Sequence, residues 1–323
     1  MINKIICIAF IFVLNTFYAL AQTPLPQTSP TPINLGTILA EAEKQTTLYR
    51  ESFSNLLAEE KRVFEKYDKK GNLNDTRVVE SNFLVYQSAK NASFISEYRN
   101  VTKVDGKTVG DNEKRAEDFF ERVLKSISAD KELERVRDEN SRYDKNLIIN
   151  GITLNQATVL AAHIRPAFDF TIVGREQVEG REMLIVAYQQ KSKSPYILVN
   201  QNQDADKSFL GFDIDTPGSV KELNAFLRGQ IWIDAATYEV WRERRELTVQ
   251  PDGTTIPIVV IETDFAFQKS DSIGITPKKI VLTDYALKKK NNELSVLKET
   301  RATFEYTKFS KSDVNVKSGD AKN

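Results

Sequence analysis

A long succession of strand-like segments joined by short turns constrains the fold of this chain more than any other feature. From Phe168 onwards, apolar and polar residues alternate over long segments, which is typical of strands with one buried face. Short turns such as Glu179-Gly180 separate these segments, so neighbouring strands should pair antiparallel. The predicted strands are Phe168 to Val178, Arg181 to Lys191, Gln230 to Asp234, Val240 to Val249, Ile256 to Gln268, Lys278 to Leu287 and Glu293 to Phe309.

The preceding part of the chain predicts three more strands. Ala58 to Asp68 and Asp75 to Gln87 flank Lys69-Lys70-Gly71-Asn72, whose Gly and Asn suit a tight turn. A third strand, Ser93 to Val104, ends at Asp105-Gly106, which marks another turn. A hairpin and a third strand are therefore expected before the long series.

Helical periodicity marks the remaining segments. Apolar residues recur at three- and four-residue steps from Asn34, which can cap the helix, to Phe53. Two charged helices are expected near 113 to 127 and 130 to 143, and a short one begins at the capping box Thr153-Leu-Asn-Gln156 and ends before Pro166. We predict an α+β fold with one strongly curved antiparallel sheet, whose apolar side the helices close.

The N-terminus predicts export. Lys4 supplies a positive charge, Ile5 to Leu14 form an apolar stretch, and Ala19-Leu20-Ala21 matches a cleavage site. The apolar stretch is shorter than the roughly 20 residues of a transmembrane helix. Residues 1 to 21 are therefore predicted to be a signal peptide, and the protein is expected to be periplasmic or extracellular.

Composition divides the rest of the chain. Residues 22 to 33 are rich in Pro and Thr and predict a flexible linker, and residues 311 to 323 are polar and predict a disordered tail. Residues 34 to 310 are assigned to a single domain, although two sheet-forming blocks separated by helices leave two domains open. Cys7, the one cysteine of the chain, leaves with the signal peptide, so no disulfide is expected.

The residue types exclude several function classes. The chain has 45 basic and 45 acidic residues, and this even balance gives no footprint for nucleic acid or an anionic membrane. His163 is the one histidine, which excludes Cys-His nucleophiles and sites with two imidazoles. Asp213 and Asp215 suit a cation or an acid-base pair, but a solvated loop explains them as well. We expect no enzyme activity, no catalytic residue, no cofactor and no metal.

A resemblance rests on four stretches of the chain. They are Leu56 to Glu60, Ser96 to Lys107 with Arg115 downstream, Glu139 to Tyr143, and Gly229 to Asp234 with Val240. Together they resemble a family of uncharacterised bacterial exported proteins. The pattern Gly-x-x-Trp-Ile-Asp before a hairpin is also similar to the periplasmic lipoprotein carriers of the LolA-like class. This resemblance implies an antiparallel half-barrel, covered on its concave side by helices, with an apolar cavity for acyl chains.

Aromatic residues on the late strands are the candidate ligand-binding positions, although packing against the helices explains them as well. They are Trp232, Trp241, Phe265, Phe267 and Tyr285. Two functions remain open. One is a non-enzymatic envelope protein that binds a lipid, a lipoprotein acyl chain or another apolar ligand in the half-barrel. The other is a protein-interaction module that presents an exposed strand edge to a partner protein in the envelope, without a small-molecule ligand.

Overall fold

A computed structural model describes residues 34–53, 56–88, 91, 95–144, 147–149, 153–192, 196–198, 208–210, 213–214, 225–250, 257–270, 273–290 and 293–311. The predicted signal peptide, the linker and the tail beyond Lys311 lie outside the described residues. Within the described part of the chain, no helix is both long enough and apolar enough to cross a membrane.

The described residues form three α-helices and fifteen strands. The helices are α1 (Leu35–Glu51), α2 (Asn112–Leu124) and α3 (Ala129–Ser141). The first strands are β1 (Leu56–Tyr67), β2 (Leu73–Gln87), β3 (Ile95–Val104), β4 (Lys107–Thr108), β5 (Leu147–Ile149), β6 (Phe168–Val178) and β7 (Arg181–Gln190). The others are β8 (Ile197–Leu198), β9 (Ser208–Leu210), β10 (Asp213–Ile214), β11 (Ala225–Asp234), β12 (Val240–Val249), β13 (Ile258–Ser270), β14 (Gly274–Lys290) and β15 (Glu293–Lys311).

Eleven of these strands form one antiparallel sheet in the order β4-β3-β2-β1-β15-β14-β13-β12-β11-β7-β6. The predicted antiparallel series is therefore confirmed. The early and late blocks of strands meet where β1 pairs with β15, so they share one sheet. The assignment of residues 34–310 to a single domain stays a prediction.

Two of the predicted turns have the backbone that their residues favour. Asp105 and Gly106 have φ values of 48° and 77°, and Glu179 and Gly180 have 51° and 78°. Two successive positive φ values define the type I′ turn, whose twist matches that of the flanking strands. The hairpins β3–β4 and β6–β7 follow directly from these sequences.

The prediction of a helix that begins at Thr153 and ends before Pro166 is wrong. The chain forms turns and two short 3₁₀ segments there, Thr158–Leu160 and Arg165–Ala167. Ala157 lies in the left-handed region with a φ of 45°, which interrupts a helix. The hydrogen-bonding groups that would begin the helix are engaged by side chains of the sheet instead, as described below.

One row of directly opposed residues defines what we call the packed face of the sheet, because neighbours across an antiparallel pair share a face. All members are buried except the half-buried Ile172. From β1 to β6 the row is Arg62, Phe304, Ile280, Phe265, Glu243, Ile231, Val186 and Ile172.

The helices contact both faces of the sheet. On the packed face, the Tyr49 ring of α1 lies 5.8 Å from that of Phe267. Tyr98 of β3 points away from the packed face, since its neighbour Arg99 is opposite the buried Phe83. Tyr98 stacks at 5.0 Å on Phe119 of α2, so α2 packs on the other side. The expectation that all helices cover one side is not met, because aromatic residues of β2 and β3 also need burial there.

The side opposite the packed face, which we call the open face, carries cross-strand ion pairs. Lys308 lies 2.8 Å from Glu59, and Lys279 lies 3.0 Å from Glu305. These four side chains are between 45% and 73% exposed. The alternation of apolar and charged residues along the strands therefore produces one packed and one hydrated face.

Candidate functional site

The most unusual feature of the packed face is a set of buried charges. Glu60 and Arg62 alternate in β1 and point to the same side as the buried Phe64. Glu97 and Arg99 repeat this arrangement in β3. None of the four charged side chains is more than 4% exposed. Because removing an ion from water costs several kcal/mol, these groups need partners inside the protein.

The four side chains form a continuous ion-pair network. Arg99 lies between two carboxylates, with Nε 2.7 Å from Glu60 Oε2 and Nη2 2.8 Å from Glu97 Oε2. Arg62 Nε lies 3.2 Å from the same Glu60 oxygen. Its Nη1 donates to Asp144 Oδ2 at 2.5 Å, just beyond the end of α3. Asp144 therefore ties the end of α3 to the middle of the sheet.

This network carries an excess of one negative charge, because three carboxylates face two guanidinium groups. Desolvation raises the pKa of Asp144 to about 6, although Arg62 and Arg99 act in the opposite direction. Burial alone would lower the pKa of Arg99, but Glu60 and Glu97 outweigh it and raise this pKa well above its usual value. The Asp144 carboxyl therefore changes its protonation state near pH 6.

A second buried cluster lies on β12. The Arg245 guanidinium donates to both oxygens of Glu243, at 2.7 Å and 2.8 Å. The Tyr188 hydroxyl of β7 donates to the same carboxylate at 3.2 Å. Desolvation and the Glu243 charge raise the pKa of Tyr188 well above its usual value, so this hydroxyl keeps its proton.

The contact between the Tyr188 hydroxyl and Glu243 depends on a glycine in the neighbouring strand. Tyr188 is directly opposite Gly229 of β11. A Cβ atom at residue 229 would lie 2.1 Å from the Arg244 carbonyl oxygen and 2.4 Å from the Tyr188 hydroxyl oxygen. Glycine is therefore required at this position for Tyr188 to reach Glu243.

Both clusters bind the same stretch of backbone, Thr153 to Ala157, which we call the clamped segment. On the side of the first cluster, the Thr153 hydroxyl donates to Glu97 Oε2 at 2.7 Å. The Leu154 N–H donates to Glu97 Oε1 at 3.0 Å. The Tyr49 hydroxyl of α1 donates to the Leu154 carbonyl at 3.0 Å.

The second cluster holds the other end of the clamped segment. The Ala157 N–H donates to Glu243 Oε2 at 2.6 Å. Arg245 Nη2 donates to the Asn155 carbonyl at 2.8 Å. These contacts engage backbone N–H and C=O groups that would otherwise form hydrogen bonds within the predicted helix. This is the physical reason why the helix is absent.

The clamped segment and the residues after it occupy the packed face. Leu154 belongs to the same buried cluster as Phe265 and Phe267, and its side chain is fully buried. Val159 and Leu160 pack with α1 in a second cluster. Side chains of the protein itself therefore fill this part of the face.

The five predicted ligand-binding aromatic residues do not all lie together. Trp232, Trp241, Phe265 and Phe267 are buried members of one cluster, whereas Tyr285 is half-buried and outside it. The Phe265 and Phe267 rings stack with centroids 6.3 Å apart. Whether any of the five binds a ligand stays a prediction.

Polar partners hold two of these aromatic residues on the side away from the packed face. Trp232 alternates with Ile231 of the packed row, and its indole N–H donates to Glu176 Oε2 at 2.7 Å. The Arg242 guanidinium lies 4.6 Å from the Trp232 ring centre. The Tyr285 hydroxyl donates to Glu262 at 3.1 Å, and desolvation followed by the Glu262 charge raises its pKa to about 12.

The other candidate residues are not assembled into a reactive site. His163 is exposed in the turn after the first 3₁₀ segment, with its ring 4.8 Å from that of Tyr196. Asp213 lies in the short strand β10, and Asp215 is outside the described residues. In the described ranges, no group of three or more His, Cys, Asp or Glu side chains is arranged to hold a metal ion.

A concavity of about 700 Å³ lies over β6, β7, β11 and β12. Its lining includes the polar and charged side chains of Arg228, Gln230, Arg244 and Glu246 on the open face. Arg228 and Glu246 are paired at 2.7 Å across this lining. A smaller cavity of about 140 Å³ lies between α1 and β12, beside Tyr49. The larger concavity thus differs from a dry apolar cavity, because charged side chains take part in its lining.

The buried network was not anticipated from the sequence, although a signal existed. The alternation of β1 puts Glu60 and Arg62 on the same side as Ala58 and Phe64, which means that charges share a face with core residues. Glu60, Glu97 and Arg99 also lie within the stretches that carried the resemblance. The sequence could not show that the buried charges bind the clamped segment, because the two are far apart in the chain.

Comparisons with known proteins give distant structural matches. No protein-family model matches the chain, and no curated protein matches it. A DUF1329 family protein from Desulfovibrio piger matches 87% of this chain and 95% of its own, with 11% identity and a TM-score of 0.33. The LolA superfamily protein NE2245 from Nitrosomonas europaea matches 87% of this chain and 95% of its own, with 7% identity and a TM-score of 0.30.

A putative outer membrane lipoprotein-sorting protein domain from Vibrio parahaemolyticus matches 86% of this chain and 96% of its own, with 9% identity and a TM-score of 0.30. The chain thus has a distant similarity to LolA superfamily proteins and to an uncharacterised family, as its sequence suggested. At these TM-scores the similarity carries no argument about function.

Proposed function

We propose that this is a non-enzymatic exported protein of the periplasm or cell exterior, which binds an extended segment of a partner protein along β6. The observation that carries the proposal is the difference between the two ends of the sheet. Near one end, Asn140 of α3 caps β3: its Oδ1 accepts the Arg99 N–H at 2.9 Å, and its amide nitrogen donates to the Glu97 carbonyl. At the other end β6, within the described residues, pairs with β7 alone.

Within the described sheet, the edge of β6 that faces away from β7 has a regular stretch of defined length. Pairing with β7 is regular from Phe168 to Ile172, and a bulge at Val173 then shifts the register. Bulges limit uncontrolled edge pairing, so the regular part before Val173 is where another strand fits. Asp169 and Thr171 are exposed there, while Ile172 is half-buried. A partner segment would gain main-chain hydrogen bonds from this edge and specificity from alternate side chains.

The alternative function is a lipid carrier, in which the sheet curves as a half-barrel around an acyl chain and α1 acts as a lid. The clamped segment argues against it. An acyl chain on the packed face would displace Leu154 and Ala157, and the Glu97 and Glu243 carboxylates would lose their backbone donors. Leaving a buried carboxylate with fewer partners costs about 1–3 kcal/mol for each lost group. We propose instead that the sheet curves around the clamped segment itself.

Two measurements separate these functions. Protein purified from its native compartment without detergent should begin at Gln22 and yield no stoichiometric lipid in the mass spectrum of an organic extract. A photo-crosslinking residue at Thr171 should give one discrete protein adduct in the producing cells, and the same residue at Glu59, on the open face, should give none. A stoichiometric lipid, or equal adducts from both positions, would contradict the proposal.

A further inference from the structure

A second interaction surface lies at the far end of the β14–β15 hairpin. β13 pairs with β14 only as far as Asp284, and β1 pairs with β15 only from Thr300. The residues between these limits, Tyr285–Lys290 and Glu293–Lys298, pair only with each other in the described part of the sheet. We call them the arm. Six residue pairs make it about 20 Å long.

The arm concentrates positive charge. It contains four lysines and one glutamate, which gives a net charge of about +3 in a chain that is neutral as a whole. Lys288, Lys289 and Lys290 are consecutive in β14, and Lys298 lies at the base, 5.0 Å from the Tyr67 ring. The sequence analysis predicted no binding surface for an anionic membrane from the even charge balance of the whole chain. A balance over the whole chain does not reveal this local excess of lysines.

Several exposed lysines of the open face are paired with carboxylates, as in Lys103–Glu80 at 2.9 Å and Lys279–Glu305 at 3.0 Å. Among the residues whose side chains the structure describes, Lys288 forms no ion pair.

Two apolar pairs precede the lysines in the arm, one on each face of the hairpin. Leu287 is opposite Val296, and Ala286 is opposite Leu297. The Val296 side chain is 42% exposed, and Leu287 is half-buried. A two-stranded hairpin alone has no core of its own, so such a pair gains from transfer to an apolar medium.

We propose that the arm docks the protein on an anionic phospholipid surface, with its positive charge near the headgroup phosphates and the face that carries Leu287 and Val296 toward the membrane. An anionic surface needs only positive charges close to it, and each lysine there strengthens binding roughly fivefold. The proposal is independent of the partner that β6 binds.

Co-sedimentation of the full chain with vesicles tests this proposal. The protein should bind vesicles of phosphatidylcholine with phosphatidylglycerol and not vesicles of phosphatidylcholine alone. The triple variant Lys288→Gln, Lys289→Gln, Lys290→Gln should bind about 100-fold more weakly. The double variant Leu287→Ser, Val296→Ser should also bind more weakly while keeping its dependence on phosphatidylglycerol.

A matched control removes the same charge elsewhere. Lys103→Gln, Lys279→Gln, Lys308→Gln breaks three exposed ion pairs of the open face and should leave vesicle binding within about twofold of the wild type. Equal losses in the two triple variants would overturn the proposal, because net charge alone would then explain binding. It would also be overturned if the wild type ignored the vesicles but bound polyglutamate through the arm, a result that would assign the arm to an acidic protein.

Discussion

The Glu243 carboxylate accepts the backbone N–H of Ala157 at 2.6 Å, although the two residues are 86 positions apart in the sequence. This contact and its counterpart between Glu97 and Leu154 explain why the chain does not form a helix after Thr153. They also explain how these two charges can persist in the interior of the sheet, since Glu97 and Glu243 each receive donors from both an arginine and the backbone.

The first prediction compares two neighbouring glutamates of β1. Glu60→Gln should lower the free energy of unfolding by about 3–5 kcal/mol, because Arg62 and Arg99 would lose a buried counter-charge. Glu59→Gln should cost at most about 1 kcal/mol, since its pair with Lys308 is exposed. Urea denaturation of both variants checks this, and similar losses in the two would show that the network does not contribute as inferred.

The second prediction concerns Gly229. Gly229→Ala should destabilise the protein by about 1–3 kcal/mol or more, because its Cβ would overlap the Arg244 carbonyl and the Tyr188 hydroxyl. Gly174→Ala is the control: its Cβ would make an ordinary contact at 3.7 Å with Ile185, and its cost should be much smaller. Thermal unfolding separates the two, and an unchanged melting temperature for Gly229→Ala would show that Tyr188 does not cross this position.

The third prediction is a pH dependence that comes from Asp144. Its pKa is raised from 3.8 to about 6 in the folded protein, so the folded state binds this proton more tightly than the unfolded state. The contribution to stability therefore increases as pH falls through about 6 and is complete below the unfolded pKa.

Asp144→Asn isolates this effect from the other carboxylates. Between pH 7.5 and pH 5, the wild type should gain about 1 kcal/mol of stability relative to the variant. Urea denaturation at the two pH values measures the difference. A constant difference between wild type and variant would mean that Asp144 titrates normally.

The sequence predicted local features well and long-range ones poorly. Asp105-Gly106 and Glu179-Gly180 specify their turns because the required positive φ values depend on those residues alone. Strand alternation likewise predicted one packed face. The helix predicted from the capping box at Thr153 failed because the Thr153 hydroxyl and the Ala157 N–H have other partners, Glu97 and Glu243, on strands that only the fold brings near.

The candidate site shows the same limit. Trp232 and Phe265 were grouped because both are aromatic and on late strands, but Trp232 alternates with Ile231, which shares the packed row with Phe265. Strand register and alternation decide which aromatic residues share a face of the sheet. Both are known only once the pairing of each strand is known. The sequence identified the five aromatic residues, but it did not show on which face of the sheet each one lies.

Hydrogen exchange at the Leu154 and Ala157 amides tests the filled packed face most directly. Both amides should exchange as slowly as those in the middle of β12, although neither lies in a helix or strand, and adding a fatty acid should not change their rates. Glu97→Gln should accelerate Leu154 more than Ala157, and Glu243→Gln should do the reverse. Fast exchange in the free protein, or acceleration of both amides by the fatty acid, would contradict a filled face and favour the carrier.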